Sequence, residues 1–267
     1  MNWTAIIIAG ALMGGLAIVF GIVLGIADKK FTVQEDGRIS LVYECLGGAN
    51  CGACGYAGCS ALAQAIVEGK AAPNACPASG AEKVARISEI MGVSAQAKEP
   101  MIARLACMGD CESVALRYNY DGLPDCRIAS GLSGGPKMCT YACIGMGDCV
   151  KACKFGAIYL SEKGLPIFIP EKCTGCGACA QQCPRGAIKL APKLSTVMVA
   201  CRNDDIAKES RANCKHGCIA CKKCERVCPV GAISINGKHS QIDFAKCIKC
   251  GECAKSCPSS CIEVFDA

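Results

Sequence analysis

The sequence predicts an α+β protein in which one transmembrane helix precedes a small helical domain and two tandem cysteine-rich units. Three observations support this prediction. Residues 4–27 contain no charged side chain. Cysteine accounts for 27 of the 267 residues, and one cysteine-containing signature recurs along the C-terminal half. Repetition of this kind indicates several small structural units rather than one large core.

Composition excludes several classes of protein. Hydrophobic residues make up 52% of the chain and charged residues 19%, which excludes general disorder. A cysteine content this high is typical of short secreted disulfide scaffolds, but this chain is too long for that class. The odd number of cysteines would also leave one thiol unpaired. We therefore expect reduced cysteines and a reducing compartment.

The apolar stretch at residues 4–27 is predicted to be a membrane anchor. As a helix it would extend about 36 Å, enough to cross a hydrocarbon core of about 30 Å. The alternative is a secretory signal peptide, but no basic residue precedes Lys29. Lys29 and Lys30 follow the helix, which favours a cytoplasmic C-terminal bulk. We predict a single-pass anchor in the plasma membrane (1–27), in contact with lipid, followed by a linker (28–40).

The next segment is predicted to be a small helical iron–sulfur domain (41–95). Its glycine-rich loop, with Cys76 beyond it, supplies four thiolates, enough for one [4Fe–4S] cluster. These ligands are Cys51, Cys54, Cys59 and Cys76. Cys45 is a fifth candidate for the four ligand positions of this cluster. Helices are predicted at about 60–68 and, from its apolar spacing, at 81–92.

The repeated signature is a cysteine followed, two residues later, by a small residue and a β-branched one. It begins at Cys153, Cys183, Cys228 and Cys257. A full C-x2-C-x2-C-x3-C run leads into the last three: Cys173, Cys176, Cys179, Cys183; Cys218, Cys221, Cys224, Cys228; and Cys247, Cys250, Cys253, Cys257. This is the bacterial iron–sulfur ligand run, in which the fourth cysteine binds the partner cluster. Structural zinc sites usually use two separated ligand pairs, so zinc is the weaker hypothesis.

The repeats come as two pairs, which predicts a first bicluster ferredoxin-like domain (101–195) and a second (196–267). Applying the crossing rule gives three ligand sets. They are Cys153 with Cys173, Cys176 and Cys179; Cys257 with Cys218, Cys221 and Cys224; and Cys228 with Cys247, Cys250 and Cys253.

One cysteine run departs from the pattern. The segment 139–153 aligns without a gap on 214–228, and Met146 then falls opposite Cys221. Because a thioether is a poor ligand for an iron cube, we expect Cys139 to supply the missing thiolate. The predicted set is Cys139, Cys143, Cys149 and Cys183. By the same alignment Cys214 should be spare.

The remaining cysteines receive structural interpretations. Cys107 and Cys201 follow a similar Leu-Ala or Val-Ala pair, so a repeated core position accounts for both. Cys261 aligns with an alanine and is predicted to be a small core residue. Cys111 and Cys126 are left without a role, and the expected total is five [4Fe–4S] clusters, with a sixth as the less favoured alternative. The two histidines are predicted to lie at the surface.

No nucleotide-binding loop or acid–base pair is found in the sequence, so we predict no bound nucleotide and no catalytic side chain. The formal net charge of +6 counts thiols as neutral. Each oxidised cluster with four thiolates carries about −2, so the basic balance does not indicate nucleic-acid binding. Basic side chains around the last two runs form either a solvated rim or a docking site for an acidic electron carrier: Lys222, Lys223, Arg226, Lys246, Lys249 and Lys255.

The anchor, the CGACGYAGC loop closed by Cys76 and the tandem ferredoxin runs resemble, in this order, the B subunits of Rnf complexes. The resemblance covers nearly the whole chain. It implies an iron–sulfur subunit of a membrane ferredoxin:NAD+ oxidoreductase that drives Na+ or H+ translocation. It also implies that soluble ferredoxin is the electron donor, that other membrane and peripheral subunits are partners, and that a different protein of the complex binds NAD and flavin.

Two other functions are compatible with the same residues. One is a subunit of a complex that reduces a redox-sensing transcription regulator. The other is a membrane-tethered polyferredoxin that relays electrons for an unrelated dehydrogenase.

Overall fold

The computed structural model describes residues 3–31, 36–96 and 99–265. Parts of the predicted anchor, linker and last domain lie outside these residues, at 1–2, 32–35 and 266–267. The helices are α1 (Trp3–Phe31), α2 (Arg38–Cys45), α3 (Cys59–Val67), α4 (Ala81–Met91), α5 (Cys126–Gly131), α6 (Asp148–Ala152), α7 (Ala178–Gln182), α8 (Ala207–Asn213), α9 (Lys223–Arg226) and α10 (Glu252–Lys255). The strands are β1 (Met101–Leu105), β2 (Ile158–Leu160), β3 (Pro166–Phe168), β4 (Ile188–Pro192), β5 (Val197–Val199), β6 (Ile233–Asn236), β7 (His239–Ile242) and β8 (Ile262–Val264).

Helix α1 is a continuous run of mostly apolar residues. Its large apolar side chains are exposed where they are described, for example Leu12 at 64% and Leu24 at 66%. Within the described residues, the segment Gly10–Ala27 is long and apolar enough to cross a membrane. A helix that is apolar on all sides is stable only when lipid or protein covers it, so α1 associates the chain with a membrane.

Helices α2, α3 and α4 pack around one small core. Its centre is formed by the fully buried side chains of Val42, Leu62 and Ile87. Helices α3 and α4 confirm the predicted helices to within one or two residues. Gly92 ends α4 with a φ of 64°, a left-handed conformation in which a side chain would be strained.

The two cysteine-rich units share one topology of antiparallel strand pairs. In the first, β1 pairs with β4 and encloses the β2–β3 hairpin. In the second, β5 pairs with β8 and encloses the β6–β7 hairpin. A short helix, α6, α7, α9 or α10, carries the third cysteine of each run. The mixed helix and strand content confirms the α+β class.

Direct contacts join the two units. The buried Arg104 of β1 donates a hydrogen bond of 3.0 Å to the carbonyl of Ser195. Its guanidinium also lies 3.7 Å from the ring centroid of Phe265, beyond β8. The loop after β1 extends across to the second unit, where Lys215 N donates to Ser113 O at 2.9 Å. The units therefore have a defined relative position.

The prediction that both histidines lie at the surface is wrong for His239, which is 8% exposed. Its Nδ1 lies 2.8 Å from Asp204 Oδ1. The turn of the β6–β7 hairpin holds His239 beside Asp204, because the backbone N–H of Lys238 also donates to the Asp204 carboxylate. These two hydrogen bonds lower the pKa of Asp204. His216 is half-buried, and its Nδ1 is fully buried.

Candidate iron–sulfur sites

All 27 cysteines lie within the described residues and are free thiols. In the described chain, no three His, Cys, Asp or Glu side chains lie close enough to hold a single metal ion. An iron cube takes one thiolate at each of four iron corners, so its ligands stand farther apart than those of one ion. The cysteines instead line a series of cavities.

In the second unit, one cavity of about 300 Å³ is lined by a complete predicted ligand set. Its members are Cys218, Cys221, Cys224 and Cys257. Cys261 lines the same cavity, is 1% exposed, and has its Sγ 3.6 Å from that of Cys257. A fifth thiol therefore lies beside this set, in the core position that the repeat gives to alanine elsewhere.

The other set of the second unit lies nearer the surface. Burial and the neighbouring Cys247 and Cys250 thiolates raise the pKa of Cys253 to about 11. Cys228 packs in the same core as Cys253. Cys250 is exposed. These four cysteines form the outermost of the predicted sets.

In the first unit, a cavity of about 300 Å³ is lined by the set that the crossing rule assigns. Its members are Cys153, Cys173, Cys176 and Cys179. Burial, followed by the nearby Cys173 and Cys176 thiolates, raises the pKa of Cys179 to about 12. Because such thiols are protonated at neutral pH, binding of iron must release protons.

The fourth cysteine of three of the four runs makes a recurring hydrogen bond. Its Sγ accepts from the backbone N–H four residues later, at 3.4 Å for Cys153, 3.3 Å for Cys183 and 3.2 Å for Cys228. A backbone donor stabilises a thiolate, the form that binds iron. The repeat of small residues after these cysteines thus allows the backbone to approach the sulfur.

The remaining cavity of the first unit is lined by a different cysteine from the one that the sequence predicts. This cavity, of about 380 Å³, is lined by Cys126, Cys143, Cys149 and Cys183, and not by Cys139. Burial and the neighbouring Cys126 and Cys183 thiolates raise the pKa of Cys149 to about 11. Cys126 therefore lies with Cys143, Cys149 and Cys183, where the sequence predicts Cys139.

Local structure explains why Cys126 reaches this place. Asp125 caps α5 by accepting hydrogen bonds from Arg127 N and Ile128 N. The N–H of Cys126 donates to Asp148 Oδ2 at 2.8 Å, which fastens the start of α5 to the start of α6. The backbone N–H of Met146 lies against the Cys126 thiol. Sequence alignment missed this cysteine because it lies outside the repeat.

Several cysteines of the helical N-terminal domain lie in or against its core. Cys59 and Cys76 are buried there, and Cys54 packs against them. The N–H of Cys59 donates to Asn50 Oδ1 at 2.7 Å, tying the start of α3 to the loop that carries Cys51. Cys45, at the end of α2, is buried in the same core.

A further cavity, between the two units, is lined by cysteines that the sequence did not group: Cys107, Cys139, Cys201 and Cys214. The sequence predicts a core position for Cys107 and Cys201 and a spare residue at Cys214. These predictions do not explain why the cysteines line one cavity. The cause is tertiary, since the four come from both units.

Models of known families match three parts of the chain. Residues 46–78 match a model of an Fe–S cluster family. Residues 142–187 and 217–261 match a model described as a 4Fe-4S dicluster domain, and residues 172–233 match a second model with that description. The chain therefore contains 4Fe-4S domains in tandem.

Curated relatives match most of the chain. The B subunit of the Na+-translocating ferredoxin:NAD+ oxidoreductase complex of Acetobacterium woodii is 45% identical over 97% of this chain and 78% of its own length. The B subunit of the ion-translocating oxidoreductase complex of Methanosarcina acetivorans is 40% identical over 89% of this chain and 90% of its own length. The B subunit of the proton-translocating ferredoxin:NAD+ oxidoreductase complex of Clostridium ljungdahlii is 40% identical over 76% and 72%, respectively. With this identity along nearly its whole length, the chain belongs to the family of B subunits of ion-translocating (Rnf) oxidoreductase complexes.

Proposed function

We propose that this chain is the iron–sulfur electron-transfer subunit of a membrane ferredoxin:NAD+ oxidoreductase that drives Na+ or H+ translocation. The observation that carries the proposal is a file of cysteine sets, with neighbouring sets close together from the N-terminal domain through the first unit and again within the second unit. Relatives named for this activity support it. The chain itself contributes electron transfer within the complex.

Five cysteine sets would hold [4Fe–4S] clusters in this proposal, and bound clusters of this type each accept and donate one electron. The sets are Cys51, Cys54, Cys59, Cys76; Cys153, Cys173, Cys176, Cys179; Cys126, Cys143, Cys149, Cys183; Cys218, Cys221, Cys224, Cys257; and Cys228, Cys247, Cys250, Cys253. Cys126 replaces Cys139 in the third set because it lines that cavity.

Contacts between neighbouring sets define their order. Burial raises the pKa of Cys176, and Cys51 of the N-terminal set lies near enough to add to this rise. Cys149 acts in the same way on Cys179 within the first unit. Cys224 does so on Cys253 within the second. Electron transfer weakens steeply with distance, so sets that adjoin in this way are suited to pass electrons along the chain.

The outer end of the file is suited to receive a soluble carrier. Cys250 is exposed, and Ile248 beside it is 58% exposed. Lys246 and Lys249 flank this surface with side chains that reach solvent. We propose that reduced soluble ferredoxin, an acidic carrier, docks here, because complementary charge accelerates association.

The inner end of the file lies toward the membrane. The N-terminal domain follows α1 and contacts the first unit, where Lys154 Nζ donates to Asn50 O at 3.5 Å. Lys29 and Lys30 in the last turn of α1 favour a single-pass anchor in the plasma membrane with the C-terminal bulk in the cytoplasm. Electrons would then leave toward membrane-embedded and peripheral subunits of the complex.

The test is reduction of the anaerobically purified complex by ferredoxin, followed by visible absorbance in stopped flow. Lys246→Glu with Lys249→Glu should slow reduction about tenfold at low ionic strength, with a smaller effect in high salt. Lys83→Glu with Arg86→Glu makes the same change of charge on the exposed face of α4 and should leave the rate unchanged. Equal slowing in both variants, or none in the first, would place the docking site elsewhere.

A further inference from the structure

We propose that Cys107, Cys139, Cys201 and Cys214 bind a sixth [4Fe–4S] cluster between the two cysteine-rich units. The inference rests on the proposed electron-transfer function and adds a site to the five sets described above. It also gives a role to four thiols that those sets do not use.

The cavity that these cysteines line resembles the proposed cluster sites in size and lining. It encloses about 310 Å³, its open mouth included, compared with about 380, 300 and 300 Å³ at the three other cysteine cavities. Each of the four cavities is lined by at least four thiols. A space of the same size and the same chemistry points to the same occupant.

The four cysteines form two matched pairs, one pair from each unit. Cys107 is the second residue after β1, and Cys201 is the second residue after β5. The alanine before each donates to the last strand region of its own unit, Ala106 N to Ala187 O at 2.7 Å and Ala200 N to Cys261 O at 2.8 Å. Cys139 and Cys214 likewise occupy matching positions, each four residues ahead of a cysteine run.

Hydrogen bonds at the sulfurs follow the same symmetry. Cys143 N donates to Cys107 Sγ at 3.3 Å, and Cys218 N donates to Cys201 Sγ at 3.2 Å. The backbone N–H of Tyr141 lies against the Cys139 thiol, and that of His216 lies against the Cys214 thiol. Burial raises the pKa of Cys139 and of Cys214 to about 11, and these backbone donors partly oppose that rise.

The loop after β1 holds the two units together at this point. Val114 forms a β-bridge with Cys214. Met138 N donates to Ala115 O at 2.8 Å, so the residue before Cys139 lies against the other side of the same segment. This pairing places Cys139 beside Cys214 and away from the cavity that the sequence assigned to it.

Polar groups around the cavity lack partners that a cluster would provide. Asn203 is 1% exposed and lines the cavity, and its Nδ2 has no hydrogen-bond partner among the described residues. The buried Nδ1 of His216, another lining residue, is likewise unpartnered within that part of the chain. A buried donor without an acceptor is costly, and sulfides and thiolates are acceptors. Lys137, 7% exposed and anchored to Gly109 O at 2.7 Å, adds a positive charge nearby.

The position of the site provides a route for electron transfer between the two units. Cys107 accepts from the backbone of Cys143, a ligand in the first unit, and Cys201 accepts from that of Cys218, a ligand in the second. The new set therefore adjoins one proposed cluster site on each side. It completes the file from the N-terminal domain to the outer edge.

The experiment is iron, zinc and acid-labile sulfide analysis of the anaerobically purified full-length protein. Wild type should contain about 24 Fe per chain, and Cys107→Ser and Cys214→Ser about 20. Cys111→Ser, an exposed cysteine outside every set, should keep the wild-type content. Cys221→Ser should also lose about four Fe, which shows that the assay resolves the loss of one cluster.

Outcomes for this site and for the proposed function are distinguishable. A wild-type content of about 20 Fe that Cys107→Ser and Cys214→Ser leave unchanged would overturn the sixth cluster alone. One zinc per chain that is lost in these two variants would also overturn it. Few or no iron atoms in wild type, with no response to Cys221→Ser, would reject the electron-transfer function itself. If the variants do not fold, the wild-type iron and zinc contents decide between six clusters and five.

Discussion

At the residue scale, Met146 interrupts the repeat of cysteines, and a cysteine from outside the repeat lies at the corresponding cavity. Its thioether stands where the second unit has Cys221. The fold supplies a thiol at this place from Cys126, which comes before the repeat begins. The nearer candidate in sequence, Cys139, is held elsewhere because its segment pairs with the loop after β1, and that loop also bridges to Cys214.

Replacing Cys126 by Ser should therefore remove one cluster, about four Fe per chain. The second substitution Met146→Cys, in the same chain, should restore the iron content, because the backbone N–H of Met146 lies against the Cys126 thiol. Iron analysis and electron paramagnetic resonance of the reduced protein measure both effects. The sequence assignment of Cys139 would be favoured instead by a different pattern of iron content. In that pattern Cys126→Ser and Cys107→Ser keep the wild-type iron content, and Cys139→Ser loses iron.

In each cysteine run, the residue that precedes the second ligand position has a positive φ. The amino acid at this position differs between runs. It is Gly145 (92°), Gly175 (67°), Ala220 (51°) and Lys249 (62°). A Cβ at Gly175 would overlap the carbonyl oxygen of Met101 in β1. Glycine is thus required at this place by the close approach of β1 as well as by φ.

Gly175→Ala should lower the thermal midpoint of cluster loss by several degrees, because strain of about 1–3 kcal/mol is added at a ligand loop. Ala220→Gly, at the matching place of the second unit, should not lower it by a comparable amount. The loss of visible absorbance on heating under anaerobic conditions measures both midpoints. Equal midpoints in wild type and Gly175→Ala would contradict the contact with β1.

At the element scale, the short helix α5 places a ligand through its cap. Asp125 satisfies two N–H groups of its first turn, and Asp148 satisfies the N–H of Cys126. A helix of this length is not stable alone. Its geometry therefore depends on these two carboxylates.

Asp125→Ala should cost about 1 kcal/mol of capping energy and accelerate iron loss from the Cys126 set. Asp125→Asn retains an oxygen acceptor and should stay close to wild type. The rate of iron transfer to a chelator, measured anaerobically, separates the two variants. Identical rates for Asp125→Ala and wild type would show that the cap does not control this ligand.

At the scale of the whole molecule, α1 and the cysteine-bearing part are separable. The described large apolar side chains of α1 are exposed, and the cores of the other units form without it. Helix α1 thus associates the chain with a membrane, and none of its described residues belongs to these cores.

A variant that lacks residues 1–31 should therefore remain in the soluble fraction and keep the iron content of the full-length protein. Ultracentrifugation of cell extracts and iron analysis measure the two properties. The full-length protein, which should sediment with membranes and need detergent for extraction, is the control. Loss of iron in the shortened protein would show that the anchor also supports the fold.

The sequence by itself determined the long apolar helix α1, the helices α3 and α4, and the presence of two repeated units, because hydrophobic run length, helical periodicity and ligand spacing are local properties of the chain. Four-cysteine groupings within one unit followed from the crossing rule for the same reason. Only the tertiary structure decided that Cys126 lies with Cys143, Cys149 and Cys183, and that Cys107, Cys139, Cys201 and Cys214 converge. These thiols meet through the capping of α5 and the bridge between Val114 and Cys214, which are contacts between distant segments that no spacing in the sequence encodes.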